Sequence, residues 1–242
     1  MAQSWGYTKQ DGPHTWGQIA PIADSGKRQS PIDIIPREAT YQEALASRPL
    51  RTIYLPQNSK SVINNGHSIQ VCIDGADSCL TGGPLEDDRY EIVQFHFHWG
   101  TTSKTGSEHT IDGRQYAGEL HLVHYNTTKF SSFADAAKSA GGLAVLGVFL
   151  TPGSENASLD KLTKLMSRVQ NSGDSLDLQD GFDPASLLPA DKTRFWSYPG
   201  SLTTPPCFES VNLDCLQGPD RSIRTTAGAV PSTEDRKSML PC

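Results

Sequence analysis

Short runs in which hydrophobic and polar residues alternate recur along most of the chain. A two-residue period places apolar side chains on one face of a strand, so these runs predict β-strands rather than helices. Clusters of Gly, Pro, Asn and Asp separate the runs and predict turns. The runs are RTIYL, SVINN, HSIQVCI, YEIVQFHFHW, GELHLVHY and LAVLGVFL. We therefore expect a strand-dominated protein.

Helical periodicity is weak except in two segments, FADAAKSA and SLDKLTKLMSRVQ. The second begins with Ser158, a residue type that caps helices, and its leucines fall on one face. We expect both helices to lie outside the sheet, and the sequence shows no internal repeat or linker. The predicted fold class is mainly β (α+β): a single domain built on one large, mostly antiparallel, twisted sheet with small peripheral helices.

Length and charge limit the classes of function. A chain of 242 residues fits one large domain. A net charge of -6, without a block of Lys or Arg, argues against nucleic acid or an anionic membrane as partner. The start lacks an apolar signal core, and no stretch approaches the roughly 20 apolar residues of a membrane span. We therefore expect a cytoplasmic monomer that acts on small solutes. Its five cysteines are then expected to be reduced thiols, with a local Cys72–Cys79 bridge as the alternative.

Candidate chemistry begins in the run QFHFHWG, which holds two of the seven histidines. In a strand, His96 and His98 project to one side while Phe95, Phe97 and Trp99 face the other. Two imidazoles are an incomplete metal site, because a catalytic zinc takes three protein ligands and leaves its fourth position to water. A third ligand has to come from elsewhere in the chain.

The segment AGELHLVHY offers two candidates for that ligand, His121 and His124. They are three residues apart and face opposite sides of a strand, so only one can point at the metal. Glu119 shares a face with His121, and a carboxylate beside a liganding histidine fixes its tautomer. We therefore favour His121 and expect His124 to be a hydrogen-bonded structural histidine. On these residues alone, packed core histidines remain the alternative to a zinc site.

Six motifs then point to a known family. In chain order they are RQSPIDI, NNGH, QFHFHWG, GSEHTIDG, AGELHLVHY and YPGSLTTPP. In these motifs the chain resembles the α-class carbonic anhydrases. The resemblance runs from Trp5 to about Val211, with the motifs in the same order and at similar spacings. The resemblance implies a zinc lyase that hydrates carbon dioxide reversibly to bicarbonate and a proton, with those two molecules as its partners.

The resemblance also implies the metal ligands. His96, His98 and His121 would bind Zn²⁺, with Gln94 and Glu119 accepting hydrogen bonds from the ligand imidazoles. Three neutral imidazoles leave the double charge of the ion intact, and zinc lowers the pKa of bound water from about 15.7 to about 7. Hydroxide would then be present near neutral pH.

A second group of residues is implied to orient that hydroxide. Thr203 would accept its hydrogen bond and pass its own to Glu108, which is an orientation effect. Taken alone, Glu108 reads as a surface carboxylate and Thr203 as a turn residue. The implied substrate pocket is an apolar wall, although each of its members alone reads as ordinary core. The pocket residues are Val123, Leu143, Val145, Leu202 and Thr204.

The resemblance implies a proton shuttle as well. The NNGH turn ends in His67, and histidine has an unperturbed pKa of about 6.5, close to that of the donor. Asn64, Asn65 and Tyr7 would hold the connecting water chain. Without the resemblance, His67 reads as an exposed turn histidine. His109, in GSEHT, has a weaker claim and is expected to be structural.

The chain departs from the family pattern after Val211. The family continues with a strand that carries a pocket tryptophan, whereas the segment from Asn212 onward turns polar. Back-translating 212–234 with permitted codons and skipping one base reads TWTVFKGPIEVSEQQLAQFRAL, which restores the tryptophan, a strand and an amphipathic helix.

We therefore predict a catalytic domain over 1–211 and an aberrant tail over 212–242, frameshifted or alternatively spliced. The tail is expected to pack poorly and to lack a core strand, the tryptophan and a late backbone carbonyl that orients His98. Activity is expected to be reduced. The alternative function is a catalytically impaired carbonic anhydrase-like binding module.

Overall fold

A computed structural model describes residues 5–153 and 156–217 of the chain. Within these residues a ten-stranded mixed sheet dominates, a two-stranded sheet lies apart from it, and the helices are small. The predicted fold class is confirmed. The strands are β1 (Asp33–Ile34), β2 (Arg51–Ile53), β3 (Ser59–Asn64), β4 (Ile69–Ile73), β5 (Cys79–Thr81), β6 (Tyr90–Trp99), β7 (Thr110–Ile111), β8 (Gly118–Asn126), β9 (Leu143–Leu150), β10 (Ser175–Asp177), β11 (Phe195–Gly200) and β12 (Val211–Leu216).

The helices are short and lie along the chain between strands. The α-helices are α1 (Ile22–Ser25), α2 (Glu43–Ala46), α3 (Phe133–Ala136) and α4 (Ala157–Met166). The 3-10 helices are Pro13–Gln18, Pro36–Glu38, Pro56–Asn58, Gly83–Leu85 and Pro184–Leu187. Among the described residues, no helix combines the length and apolar character that crossing a bilayer requires.

The large sheet runs in the order β10-β3-β4-β6-β8-β9-β12-β11, and β5 joins β6 to β2 at one side. Its neighbouring strands are antiparallel except for the parallel pair β9 and β12. The prediction of a mostly antiparallel sheet is therefore confirmed. Strand β1 pairs with β7 in the separate two-stranded sheet, also in parallel.

The two faces of the large sheet differ in chemistry because β6 and β8 alternate. Phe95 and Phe97 of β6 are buried in the main apolar cluster on one face. The intervening His96 and His98 project to the other face. Strand β9 is buried at every position, which matches its unbroken apolar run and its place between two neighbours. The sheet thus supports a polar centre on one face and a core on the other.

The sequence patterns located the long elements correctly. All six predicted runs form strands, namely β2, β3, β4, β6, β8 and β9, and both predicted helices are present. The cap of α4 is Asn156 rather than Ser158. The Asn156 side-chain oxygen accepts hydrogen bonds from the backbone N–H of Ser158 at 3.0 Å and of Leu159 at 3.1 Å. The predicted cap residue therefore lies inside the first turn.

The cysteines only partly follow expectation. Cys79, Cys207 and Cys215 are buried free thiols. Cys72 is disulfide-bonded, so the expectation of a reduced thiol is wrong there. The alternative local bridge is also wrong, because Cys79 is free.

The expectation of poor packing from Asn212 is wrong for the first residues of the segment. Val211–Leu216 forms β12, which inserts between β9 and β11. Leu213, Cys215 and Leu216 are buried, because this segment still supplies apolar side chains to both faces of the strand. The core strand is therefore not missing. The rest of the predicted tail, 218–242, lies outside the described residues.

Candidate metal centre

Strand register brings three histidines together on one face of the sheet. His96 of β6 lies directly opposite His121 of β8, and His98 lies opposite Glu119. Directly paired residues in an antiparallel sheet have Cβ atoms about 4.5–5.5 Å apart. The predicted ligands are therefore neighbours because β6 and β8 pair in this register.

The ring nitrogens converge on a small volume. His96 Nε2 lies 3.0 Å from His98 Nε2, and one ligand atom from each of His96, His98 and His121 falls within 4.8 Å of the others. Two nitrogens bound tetrahedrally at zinc distances of 2.0–2.1 Å would be about 3.3 Å apart. The spacing of this pair is therefore close to that of a zinc shell.

The electrostatics of these rings also fit a cation. His96 Nδ1–H donates to Gln94 Oε1 at 2.9 Å, which leaves the Nε2 lone pair directed at His98. Burial, followed by the charge of His121, lowers the pKa of His96 to about 3. Burial and the neighbouring histidines also lower the pKa of His98 well below its usual value. Neutral imidazoles with converging lone pairs are the donor set that zinc prefers.

Glu119 holds the ring of the third predicted ligand, His121. Its Oε1 accepts from His121 Nε2 and from His109 Nδ1, each at 2.7 Å, so His121 keeps Nδ1 for a metal. Its Oε2 accepts from the backbone N–H of Glu108 at 3.0 Å and of His109 at 2.9 Å. Burial opposes ionisation, but the charge of His121 and these hydrogen bonds outweigh it and hold the pKa of Glu119 well below its usual value.

A longer hydrogen-bonded chain continues behind Glu119. His109 Nε2 lies 2.6 Å from the Tyr198 hydroxyl, which in turn donates to Ser30 Oγ at 2.9 Å. The sequence predicts a structural role for His109 and gives no local signal for Tyr198 or Ser30. Both lie in motifs that carried the resemblance, RQSPIDI and YPGSLTTPP. Their contact joins distant segments, so no local spacing could have indicated it.

Glu108 lies beside the same histidines, and Thr203 hydrogen-bonds to Glu108. Glu108 Oε1 is 3.3 Å from His98 Nδ1, and Oε2 is 3.8 Å from His121 Nδ1. Burial raises the pKa of Glu108 well above its usual value, and the charge of Glu119 adds to this, while a hydrogen bond with Thr203 opposes the shift. The structure therefore brings this predicted pair to the centre.

The predicted apolar wall forms one cluster. Val123 and Val145 are paired across β8 and β9, and Leu143 and Leu202 pack in the same cluster. Leu213 of β12 is a further member that the sequence analysis did not include, because it assigned that segment to the tail. Thr204 lies in the adjacent turn, where its carbonyl accepts from the backbone N–H of Cys207 at 2.9 Å.

The predicted shuttle histidine packs against an aromatic ring. His67 stacks on Trp5 with ring centroids 3.6 Å apart and planes 6° apart. Tyr7 meets Trp5 edge-on at 6.0 Å. Asn65 Oδ1 accepts from the backbone N–H of His67 at 3.0 Å. Asn65 Nδ2 also donates to Gln70 Oε1 at 3.2 Å, a residue that the sequence analysis did not include.

Asn64 has a different environment from Asn65. Its Nδ2 donates to the carbonyls of Val169 at 3.2 Å and Gln170 at 3.1 Å. Its Oδ1 accepts from the backbone N–H of Gly66 at 3.0 Å. These bonds tie the turn to the segment after α4, so the structure gives Asn64 a turn-holding place rather than a contact with His67.

His124 lies away from the ligand cluster. Its Nε2 is 2.8 Å from the Tyr54 hydroxyl and its Nδ1 is 3.2 Å from the Ala144 carbonyl. Burial lowers the pKa of His124 to about 4. Its placement agrees with the prediction of a hydrogen-bonded structural histidine.

A large mixed sheet whose face carries three converging imidazoles, backed by a buried glutamate, is the arrangement of the carbonic anhydrase class, and these imidazoles could hold a metal ion. The chain belongs to the eukaryotic-type carbonic anhydrase family, which matches residues 11–221. It is 48% identical to carbonic anhydrase 7 of Homo sapiens over 217 residues, which cover 89% of this chain and 80% of that protein. Carbonic anhydrase 7 of Mus musculus is 46% identical over 219 residues, or 90% and 81% of the two chains. Carbonic anhydrase 1 of Mus musculus is 46% identical over 209 residues, or 86% and 78%.

Proposed function

We propose that the protein is a zinc lyase that interconverts carbon dioxide and bicarbonate. The observation that carries this proposal is the convergence of His96, His98 and His121, with Gln94 and Glu119 fixing the tautomers of His96 and His121. Family membership supports the same reaction. Bound zinc would supply hydroxide near neutral pH by lowering the pKa of water from about 15.7 to about 7. Stopped-flow carbon dioxide hydration by metal-quantified protein tests the proposal.

The residues around the centre would orient the reactants. The Thr203 hydroxyl can donate to Glu108 and accept a hydrogen bond from the attacking oxygen, so its lone pair is aimed at the substrate carbon. Carbon dioxide has no charge and few hydrogen-bonding options, so an apolar surface suits it. The cluster of Val123, Val145 and Leu202 offers that surface.

Replacing Thr203 with alanine should lower carbon dioxide hydration by about 10- to 100-fold while zinc stays bound, because the side chain orients the nucleophile without contacting the ion. Activity and zinc content of the same samples should be measured together. Thr203→Ser keeps the hydroxyl and should stay near the wild-type rate. Loss of zinc together with activity would assign Thr203 a structural role instead.

The proton released in each cycle needs a nearby base, and we propose that His67 is that base. Its unperturbed pKa of about 6.5 allows it both to accept and to release a proton near neutral pH. Its backbone is held by Asn65 and its ring is stacked on Trp5. Both contacts limit the positions that the ring can adopt.

His67→Ala should slow turnover about 10-fold or more in weak buffer, because proton export would then limit the cycle. Adding imidazole should restore the rate, since a dissolved base replaces the missing side chain. The measurement is the hydration rate as a function of buffer concentration. An unchanged rate in weak buffer would remove His67 from the mechanism.

We also propose that the chain after Val211 is an aberrant ending of a family protein, produced by a frameshift or an alternative exon. Two features of β12 support this: a buried leucine stands where the shifted reading has tryptophan, and a carboxyl, Asp214, lies fully buried in a core strand. Activity should be lower than in a version with the shifted reading. Sequencing the transcript across the Val211 codon tests this, and a locus without that reading would refute it.

A further inference from the structure

Gly147 lacks a side chain in a strand whose other residues are apolar and mostly large. Strand β9 reads LAVLGVFL and is buried at every position. A glycine inside a strand weakens it, and often marks a place where another group approaches the backbone closely. Gly147 is not among the glycines with positive φ, so backbone conformation does not explain it. The remaining explanation is a lack of room for a side chain at position 147.

The space beside Gly147 is filled by the carboxylate behind the metal centre. Gly147 pairs with His121 of β8 on one side and with Cys215 of β12 on the other. A Cβ atom at position 147 would lie 3.3 Å from Glu119 Oε1 and 3.4 Å from Cys215 Sγ. It would therefore be wedged between the two side chains.

Neither neighbour can easily move. Glu119 Oε1 is the atom that accepts from both His121 and His109 at 2.7 Å, and Oε2 is held by two backbone N–H groups. Shifting Oε1 by a few tenths of an ångström would lengthen charge-assisted hydrogen bonds, which are short and strong. Cys215 is fully buried and packs in a cluster with Ile34 and Phe149.

We propose that Gly147 is a positioning residue for the metal centre. Its missing side chain lets the Glu119 carboxylate lie over β9, at the place from which it holds the ring of His121. Cys215 closes the same space from the β12 side. The expected effect on zinc affinity rests on the proposed zinc function, whereas the placement of Glu119 can be tested without metal.

The test compares Gly147→Ala with Val148→Ala, a substitution in the same strand whose side chain belongs to the cluster on the opposite face. Zinc dissociation constants would be measured by chelator competition. Gly147→Ala should bind zinc about 10- to 100-fold more weakly, the usual cost of disturbing a partner of a metal ligand. Val148→Ala should stay near wild type. Adding Cys215→Ala to Gly147→Ala should restore part of the affinity by giving the methyl group room.

A second readout uses metal-free, ¹⁵N-labelled protein. The imidazole N–H protons of His109 and His121 that donate to Glu119 should give downfield signals, which should shift or broaden in Gly147→Ala and not in Val148→Ala. Unchanged signals in Gly147→Ala, or an equal loss of zinc affinity in Val148→Ala, would overturn the inference. Wild-type protein that bound no zinc would refute the proposed function, and the imidazole signals would still decide the role of Gly147.

Discussion

His96→Ala is expected to abolish zinc retention under conditions in which the wild-type protein keeps one zinc per chain. Only two imidazoles would remain, and zinc sites of this kind need three protein ligands. The loss of affinity should exceed the 10- to 100-fold that follows removal of an outer partner such as Glu119. Metal analysis after dialysis against a weak chelator measures the effect.

The matched control is His124→Ala. His124 is likewise a histidine of the paired strands β6 and β8, but its nitrogens contact Tyr54 and the Ala144 carbonyl. Its replacement should cost stability and leave zinc content unchanged. Full zinc occupancy in His96→Ala, or equal losses in the two variants, would show the ligand assignment to be wrong.

The second large effect concerns stability and arises from Asp214. Burial raises the pKa of this carboxyl to about 7, although hydrogen bonds with Ser197 and Asn212 oppose the shift. An unfolded chain would have an aspartate pKa of about 3.9. The folded state therefore binds more protons at this group between these values, so the contribution of Asp214 to stability is most favourable below about pH 4 and is lost as the pH rises to about 7. The total loss is on the order of 4 kcal/mol.

Asp214→Asn should remove this loss, because the amide does not ionise and can still hydrogen-bond. Its gain in free energy of unfolding should grow from about pH 4 and reach roughly 4 kcal/mol at pH 8. Denaturant unfolding of metal-free protein at pH 5 and pH 8 measures the difference. A gain that did not depend on pH would contradict the assignment.

An exposed carboxyl provides a control of opposite sign. Hydrogen bonds from Thr193 lower the pKa of Asp191, with Arg194 adding to the effect. A depressed pKa stabilises the folded state above the unfolded pKa, so Asp191→Asn should lose stability as the pH rises through the acid range.

The shifted reading of the tail places threonine at position 214. A protein with that reading should therefore also lack the pH-dependent loss of stability assigned to Asp214.

The sequence predicted the strands whose apolar runs are long, such as YEIVQFHFHW and LAVLGVFL. It did not predict β1, β5, β7, β10, β11 or β12, because these strands are short or interrupt the apolar alternation with polar residues, Pro or Gly. In β12, Asn212 and Asp214 interrupt the apolar pattern, and only the neighbouring strands show that the segment belongs to the sheet. Tertiary pairing decides such segments, and local propensity does not.

The candidate site likewise contains some residues that the sequence predicts and others that it does not. Period-two geometry was enough to place His96 and His98 on one face. The choice of His121 over His124 also needed the carboxylate of Glu119 on the same face. The network through His109, Tyr198 and Ser30 could not be found by spacing, because Ser30 and Tyr198 are 168 positions apart. The space at Gly147 likewise depends on the register of three strands.

The most direct measurement is a zinc titration of metal-free protein in which bound metal and initial rate of carbon dioxide hydration are recorded together. The proposed function predicts that the rate rises in proportion to bound zinc and stops rising at one zinc per chain. A rate that stays at the buffer background when one zinc is bound would contradict it.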